Sequence, residues 1–378
     1  MDRPVDDSRA DLARSSPLTR LKSLLVGQWR QLLVFQKSER SWQMPLAAAL
    51  SSGLPLAAGA WFGQIGYGLV GSIGGLAFLY LAVTPLSHRM VAIMACSFGM
   101  LACYALGLAS QLVAPLILPT LVCITILVTM MCRLYNVGPP GSLFFVMVAS
   151  VGAYSPVAVP EWPRMVGLFA LGCMVACLVG FVYSLFMLRK IPPKPPYAGP
   201  PPAFDFVVLD ALIIGLAVGV SLGVAQAFQV EKPYWVPVSC LAVIQGASLR
   251  AVWTKQLHRV IGTAAGLLLS WGLLSLPLGQ WAIALAVMLL TFLIESLIVR
   301  HYALAATLIT PLTILLAEAA TLGHTSAALL IRARFLDTVL GCAIGLGGAA
   351  CLHSPRLRRR LGKLLRRMLR LPLPGATP

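Results

Sequence analysis

Residues 326–353 read SAALLIRARFLDTVLGCAIGLGGAACLH. A helix needs about 20 apolar residues to cross the ~30 Å hydrocarbon core of a bilayer, and this stretch supplies them. Two ionisable side chains interrupt it, Arg334 and Asp337, three residues apart and so on one helix face. Counted back from Leu352 at ~1.5 Å per residue, Arg334 lies about 27 Å and Asp337 about 22 Å from that end. Arg334 then reaches the far interface, whereas Asp337 lies within the hydrocarbon. An ionisable group at that depth costs about 2.5–3.5 kcal/mol on insertion, which predicts that it faces the protein interior and has a partner. Arg334 is the nearest candidate. Two roles stay open for the pair. One is a salt bridge that pins this last helix, with Thr338 and Gly341 adding a hydrogen bond and a close contact. The other is a site where Asp337 binds and releases a proton while Arg334 attracts the carboxylate of an anionic substrate.

The rest of the chain repeats the same kind of run. Of 378 residues 58% are hydrophobic and only 11% charged, with mean hydropathy +0.86, whereas soluble domains are about one quarter charged. Twelve apolar stretches stand out, at 44–62, 67–84, 90–109, 112–131, 139–157, 164–188, 206–228, 234–249, 258–276, 279–298, 302–319 and 327–352. A closed β-barrel would show short alternating strands instead. The fold class is therefore all-α: a polytopic membrane protein of about twelve transmembrane helices. The first 43 residues are polar and of mixed charge, which predicts no cleavable signal peptide. The nine cysteines lie almost all inside the apolar stretches with no CxxC spacing, as small packing residues do.

Lys and Arg fall unevenly along this pattern. With an inner N-terminus, the N-terminal segment, the turns at Arg89, Arg133, Arg250–Arg259 and Arg300, the central linker and the tail are all cytoplasmic. Only Arg164, Lys232, Arg332 and Arg334 fall on or near the other side. This positive-inside bias explains the net charge of +17 without a nucleic-acid partner. The tail RLRRRLGKLLRRMLRL, 356–371, sets one leucine face among eight basic residues, the pattern of a helix lying on an anionic leaflet. The proline-rich stretch RKIPPKPPYAGPPPAFD, 189–205, predicts an extended connector. The expected organisation is a cytoplasmic segment 1–43, a six-helix bundle 44–188, the linker 189–205, a second six-helix bundle 206–352 and a basic tail 353–378. Six is even, so the halves are parallel repeats. Echoes at an offset of 167 residues support this, GYGLVG around Tyr67 with PYWVPV around Tyr234, and CRLYN with VRHYA. LGC at 171–173 and 340–342 recurs at nearly that offset.

Glycine and proline interrupt helices at matching places: GQIGYGLVGSIGG opens helix 2, EKPYWVPV opens helix 8, NVGPPGS opens helix 5 and Pro311 sits in helix 11. Backbone groups freed in this way are tolerated at membrane depth only beside protein or a water-filled cavity. A cavity between the halves, lined by helices 2, 5, 8 and 11 and closed by helix 12, follows as an expectation.

Two stretches share the form R-x-x-(G/D)-T-x-x-G: Arg259-x-x-Gly262-Thr263-x-x-Gly266 and Arg334-x-x-Asp337-Thr338-x-x-Gly341. Together with YWVPVSCLAVIQGASLRAVWTKQLHRVIGT at 234–263, they resemble the fusaric acid resistance and aromatic acid exporter family. The resemblance covers roughly 206–352 well and 44–188 loosely. It departs from the family in having only the linker where members commonly have a large cytoplasmic domain, and in lacking the Thr motif after Arg89 and Arg164. The resemblance implies a transporter, and in a double-membrane bacterium a periplasmic adaptor partner.

The residues expected to bind substrate or couple transport are thus Asp337, Arg334, Thr338, Arg259, Thr263, Tyr234, Trp235 and Tyr67, the aromatics offering stacking surface and the arginines charge. Glu295, one turn inside helix 10, is a second proton-site candidate. His88, His258 and His301 lie by inner turns without metal-ligand spacing. Arg250, Lys255, His258 and Arg259 make a basic loop that would concentrate anions at the cytoplasmic entrance. No Walker A run occurs, so no ATP chemistry, cofactor or enzyme activity is expected. The expected function is proton-coupled efflux of small amphipathic organic anions across the inner membrane, with the lipid bilayer, the organic anion and an adaptor as partners and self-association left open. A passive anion channel and a non-transporting scaffold are the alternatives.

Overall fold

Every one of the twelve apolar stretches holds a helix, and most of the differences from expectation lie at the ends. The computed structural model describes residue 35 and residues 40–190, 192–193, 195, 202–246, 248–318 and 327–368. Most of the N-terminal segment, the middle of the linker and the end of the tail lie outside these. The helices are α1 (Gln43–Trp61), α2 (Ile65–Gly75, continued by a 3-10 stretch Leu76–Tyr80), α3 (Leu86–Ser110), α4 (Ile117–Leu134), α5 (Leu143–Ala153) and α6 (Trp162–Leu188). After the linker come α7 (Asp210–Ala227, preceded by a π-turn Asp205–Leu209), α8 (Trp235–Ile244), α9 (Leu249–Leu274), α10 (Gln280–Leu297), α11 (Tyr302–Glu318), α12 (Ala327–Leu352) and α13 (Pro355–Met368). There is no strand among the described residues.

Seven helices are long and apolar enough to cross a membrane by themselves: α3, α4, α6, α7, α9, α10 and α12. Their outward faces carry Phe98, Leu178, Leu268 and Leu285, each more than half exposed, a surface that lipid covers favourably and water does not. The protein is therefore a multi-pass helical membrane protein. Four other apolar helices are only 10–17 residues long: α2 with its 3-10 end, α5, α8 and α11. Local sequence explains their length. Gly141 takes φ 60° after Pro139-Pro140, so α5 begins four residues into the apolar stretch; it also ends four residues before the stretch does. α8 is held between Pro233 and Gly246, and all ten of its residues are buried.

In the opposite direction, α9 starts nine residues before the apolar stretch at 258. Ser248 caps it, its hydroxyl accepting from the Ala251 amide at 3.2 Å. The helix continues through Arg250 and Lys255 because charge limits membrane burial, not helicity.

Among the first six helices α1 packs on α2 and α6, α2 on α6, α3 on α5 and α6, and α4 on α5. The same six pairings recur six helices later: α7 on α8 and α12, α8 on α12, α9 on α11 and α12, and α10 on α11. The two sets meet through α1–α10 and α4–α7, with α5–α8 and α2–α11 between them. Close approach needs small residues at matching points. Gly172 of α6 lies against the backbone of Gly71 in α2, and Gly341 of α12 lies against the carbonyl of Val236 in α8, with no space for a Cβ at either.

Six cysteines are buried and Cys177 is partly so, whereas Cys123 and Cys351 face outward, departing from the packing role expected of them. α13 also corrects an expectation. Its Leu361 and Leu365 pack on Leu209, Ile213 and Leu352 of the protein itself, whereas Leu364 is half exposed. Arg358 pairs with Asp210, and Arg366 pairs with Asp205 at 3.0 Å. Arg356, Arg359, Arg360, Lys363 and Arg367 remain on the outer, exposed face.

Candidate functional site

The four short helices border one cavity of about 1440 Å³, together with residues of α4, α6, α7, α9, α10 and α12. Val70 and Ile73 of α2, Met147 of α5, Val238 of α8 and Leu312 of α11 make its apolar middle. At one end, where α1 and α7 begin, the lining is basic: Arg40, Arg133, Lys255 and Arg358 stand with Glu295 and Asp210. The acids there are paired. Arg40 meets Glu295 at 2.9 Å, and Arg133 meets Asp210 at 2.6 Å with its guanidinium 4.3 Å from the Phe206 ring centroid. At the opposite end the lining is Tyr67, Tyr154, Tyr234, Glu231 and Lys232. Tyr154 and Tyr234 lie with ring centroids 6.3 Å apart.

Of the residues singled out in the sequence, Tyr67, Tyr234, Trp235, Arg259, Glu295 and Arg334 line this cavity. Thr263, Asp337 and Thr338 do not. Thr338 donates to the Arg334 carbonyl of its own helix at 2.9 Å. Thr263 is buried, next to Gly262, whose Cβ position lies 2.6 Å from the Ala303 carbonyl, so this motif joins α9 closely to α11. Asp337 is fully buried and faces a small space shared with Lys232, Trp235 and Arg334.

Arg334 and Asp337 do not close into the salt bridge that their spacing suggests. Neither Asp337 oxygen accepts a hydrogen bond from a described residue. The Arg334 guanidinium lies instead over Trp235 of α8, 3.9 Å from the ring centroid, as cation–π attraction favours. Its Nε and Nη1 are buried without an acceptor among the described residues. Arg259 is held by polar contacts: Nη2 donates to Ser239 at 3.3 Å and Nη1 to the Tyr302 hydroxyl at 3.5 Å. Glu295 is paired with Arg40. His258 and His301 stack at 5.9 Å.

Sequence reading missed several contacts that no local pattern announces. Arg164 donates to the Tyr67 hydroxyl at 2.7 Å. The Tyr80 hydroxyl donates to the Gly141 carbonyl at 2.6 Å, and Gln245 donates to Ser142 at 2.7 Å, fixing the end of α2 and the end of α8 to the start of α5. A Gly-x-Ser-x-Gly string at 219–223 lies mid-helix in α7, where buried Ser221 donates to the Val218 carbonyl at 2.7 Å. A nucleophile elbow would need a strand-to-helix turn.

Residues 215–347, from α7 into α12, match the family described as fusaric acid resistance protein-like. An uncharacterized membrane protein of Bacillus subtilis (strain 168), YvaC, is 33% identical over 172 residues, which is 45% of this chain and 27% of that protein. The chain thus spans about a quarter of the length of this curated relative. No solved structure matches. The matched stretch contains both R-x-x-(G/D)-T-x-x-G motifs and the Tyr234-Trp235 pair that begins α8, and through residues 215–347 the chain is similar to the fusaric acid resistance protein-like family.

Proposed function

We propose that the protein transports small amphipathic organic anions, aromatic carboxylic acids foremost, and exports them across the inner membrane at the expense of the proton gradient. One observation carries this reading: a cavity of about 1440 Å³ runs from a basic end to a tyrosine-rich end, and the short helices α2, α5, α8 and α11 all contribute to its apolar middle. Broken helices around a midplane site are the usual way a transporter exposes backbone and side-chain polarity to its substrate. The basic end is cytoplasmic on this reading, by the positive-inside rule. The recurrence of six helix pairings, with Gly172 and Gly341 at equivalent points, supports twelve crossings arranged as two parallel repeats. Asp337, buried and without a hydrogen-bond partner among the described residues, is the proposed proton site.

The test is efflux of labelled 4-hydroxybenzoate from proteoliposomes, with and without an imposed pH gradient, for wild type and Asp337→Asn. Gradient-driven flux in wild type, lost in the variant at equal insertion, is the expected result. No flux by wild type across a panel of such acids sinks the reading. Passive anion conduction is a second reading, favoured by the reach of the cavity lining from Arg133 to Tyr67. It predicts flux that follows the membrane potential and ignores the pH gradient.

A further inference from the structure

We propose that the outward face of α13 binds anionic lipid headgroups, and that the leaflet it binds holds α13 down on the basic mouth of the cavity. The helix starts at the membrane surface. α12 is long and apolar enough to cross the bilayer and ends at Leu352, and only His353 and Ser354 separate it from Pro355, where α13 begins. So short a connection keeps α13 beside the headgroups.

Its inward face belongs to the protein. Gly362 is buried, its Cβ position 3.8 Å from Leu209 and 4.0 Å from Asp205, so the helix sits close. Arg366 bonds Asp205 at 3.0 Å, with its guanidinium 4.9 Å from the Phe204 ring centroid. Arg358 pairs with Asp210, which also accepts from Arg133. Leu352, His353 and Arg358 line the cavity, so a docked α13 is part of the wall of the mouth.

The outward face is a stripe of cations. Of the seven basic residues in α13, Arg358 and Arg366 are paired, and Arg356, Arg359, Arg360, Lys363 and Arg367 are exposed. These five recur at spacings of three and four, opposite Leu361 and Leu365. α13 contains no acid, and none of the five forms an ion pair among the described residues. Like charges at these spacings destabilise a helix, and cations in its first turn oppose the helix dipole. Anions outside the helix relieve both. Leu364, 52% exposed at the edge of the stripe, suits the acyl boundary beneath a headgroup layer. Anionic phosphate headgroups therefore match the stripe in sign, position and chemistry. Aromatic residues that would stack nucleic-acid bases are absent from α13. Because the two faces use different residues, binding on one reinforces docking on the other. Lipid binding here is independent of what the cavity carries.

The full-length protein is placed in nanodiscs of phosphatidylcholine, alone or with about one third phosphatidylglycerol, and hydrogen exchange of the 355–368 amides is followed. Anionic lipid should slow this exchange about fivefold or more, and high salt should diminish the effect. Replacing the five outward residues by Gln, which preserves helix propensity and leaves Arg358 and Arg366 in place, should abolish the dependence on lipid. Replacing the four outward arginines by Lys should keep most of it, and guards against misfolding. Equal exchange of wild type in the two lipids overturns the proposal. So does a Gln variant that responds as wild type does, because the lipid then acts through another basic segment such as the Arg250–Lys255 loop. Soluble poly-glutamate, added to the protein in phosphatidylcholine, is the last arm. Protection by the peptide without protection by phosphatidylglycerol would assign the stripe to an acidic protein and overturn the lipid.

Discussion

Arg334 spends its charge on a ring and not on the acid one turn away. Burial of a cation over an indole is worth about 0.5–2 kcal/mol, most when water is excluded, and Trp235 is itself buried. Trp235→Leu should therefore lower the thermal midpoint of the purified protein, and Trp235→Phe should recover part of the loss. Equal midpoints for all three proteins would remove the cation–π contact as a source of stability. The sequence made Arg334 and Asp337 conspicuous, because charge within an apolar run is costly wherever it goes. It could not reveal which group each would meet. The answer depends on Trp235, distant along the chain, and on Gly341, which brings α12 against the α8 backbone and so sets the ring beside the guanidinium. Glu295 was legible as an ionisable residue near a helix end and illegible as the partner of Arg40, for the same reason.

At the scale of elements, glycine and proline bound the short helices α5 and α8, and these residues are visible locally. This is why the interruption of helices 5 and 8 could be read in advance. The helix ends were less legible wherever polarity and helicity disagree, as at the start of α9. The tail shows a related limit. Its amphipathic pattern announces a helix with an apolar face but not what covers that face, and lipid and protein satisfy leucine equally. Here Leu361 and Leu365 rest on Leu209, Ile213 and Leu352, clamped by Arg358 on Asp210 and Arg366 on Asp205. Leu361→Asp with Leu365→Asp should free α13 and release Arg358 and Arg366 from their carboxylates. Limited trypsin digestion should then cut within 356–367 at least severalfold faster than in wild type, whereas unchanged cleavage would mean that the docking contributes little.

For the whole molecule the informative feature is how the two sets of six helices are joined. Arg40, just before α1, meets Glu295, near the end of α10, and Asp210, at the start of α7, meets Arg133, near the end of α4. The two contacts occupy matching places, yet the signs are exchanged: the base stands before the first helix of one set, the acid at the first helix of the other. Losing one partner of such a partly buried pair leaves the other charge uncompensated where water reaches it poorly. Two copies of the first set, joined in the same manner, would bring Arg40 against Arg133, and two copies of the second would bring Asp210 against Glu295. Either twin would be repelled on both sides, and only one of each satisfies all four groups. Fragments split within the linker and co-expressed under different tags should accordingly co-purify as the mixed pair and not as like with like; recovery of twins in comparable amounts would contradict this. The four charges act as a password between the halves, admitting the sibling and refusing the copy.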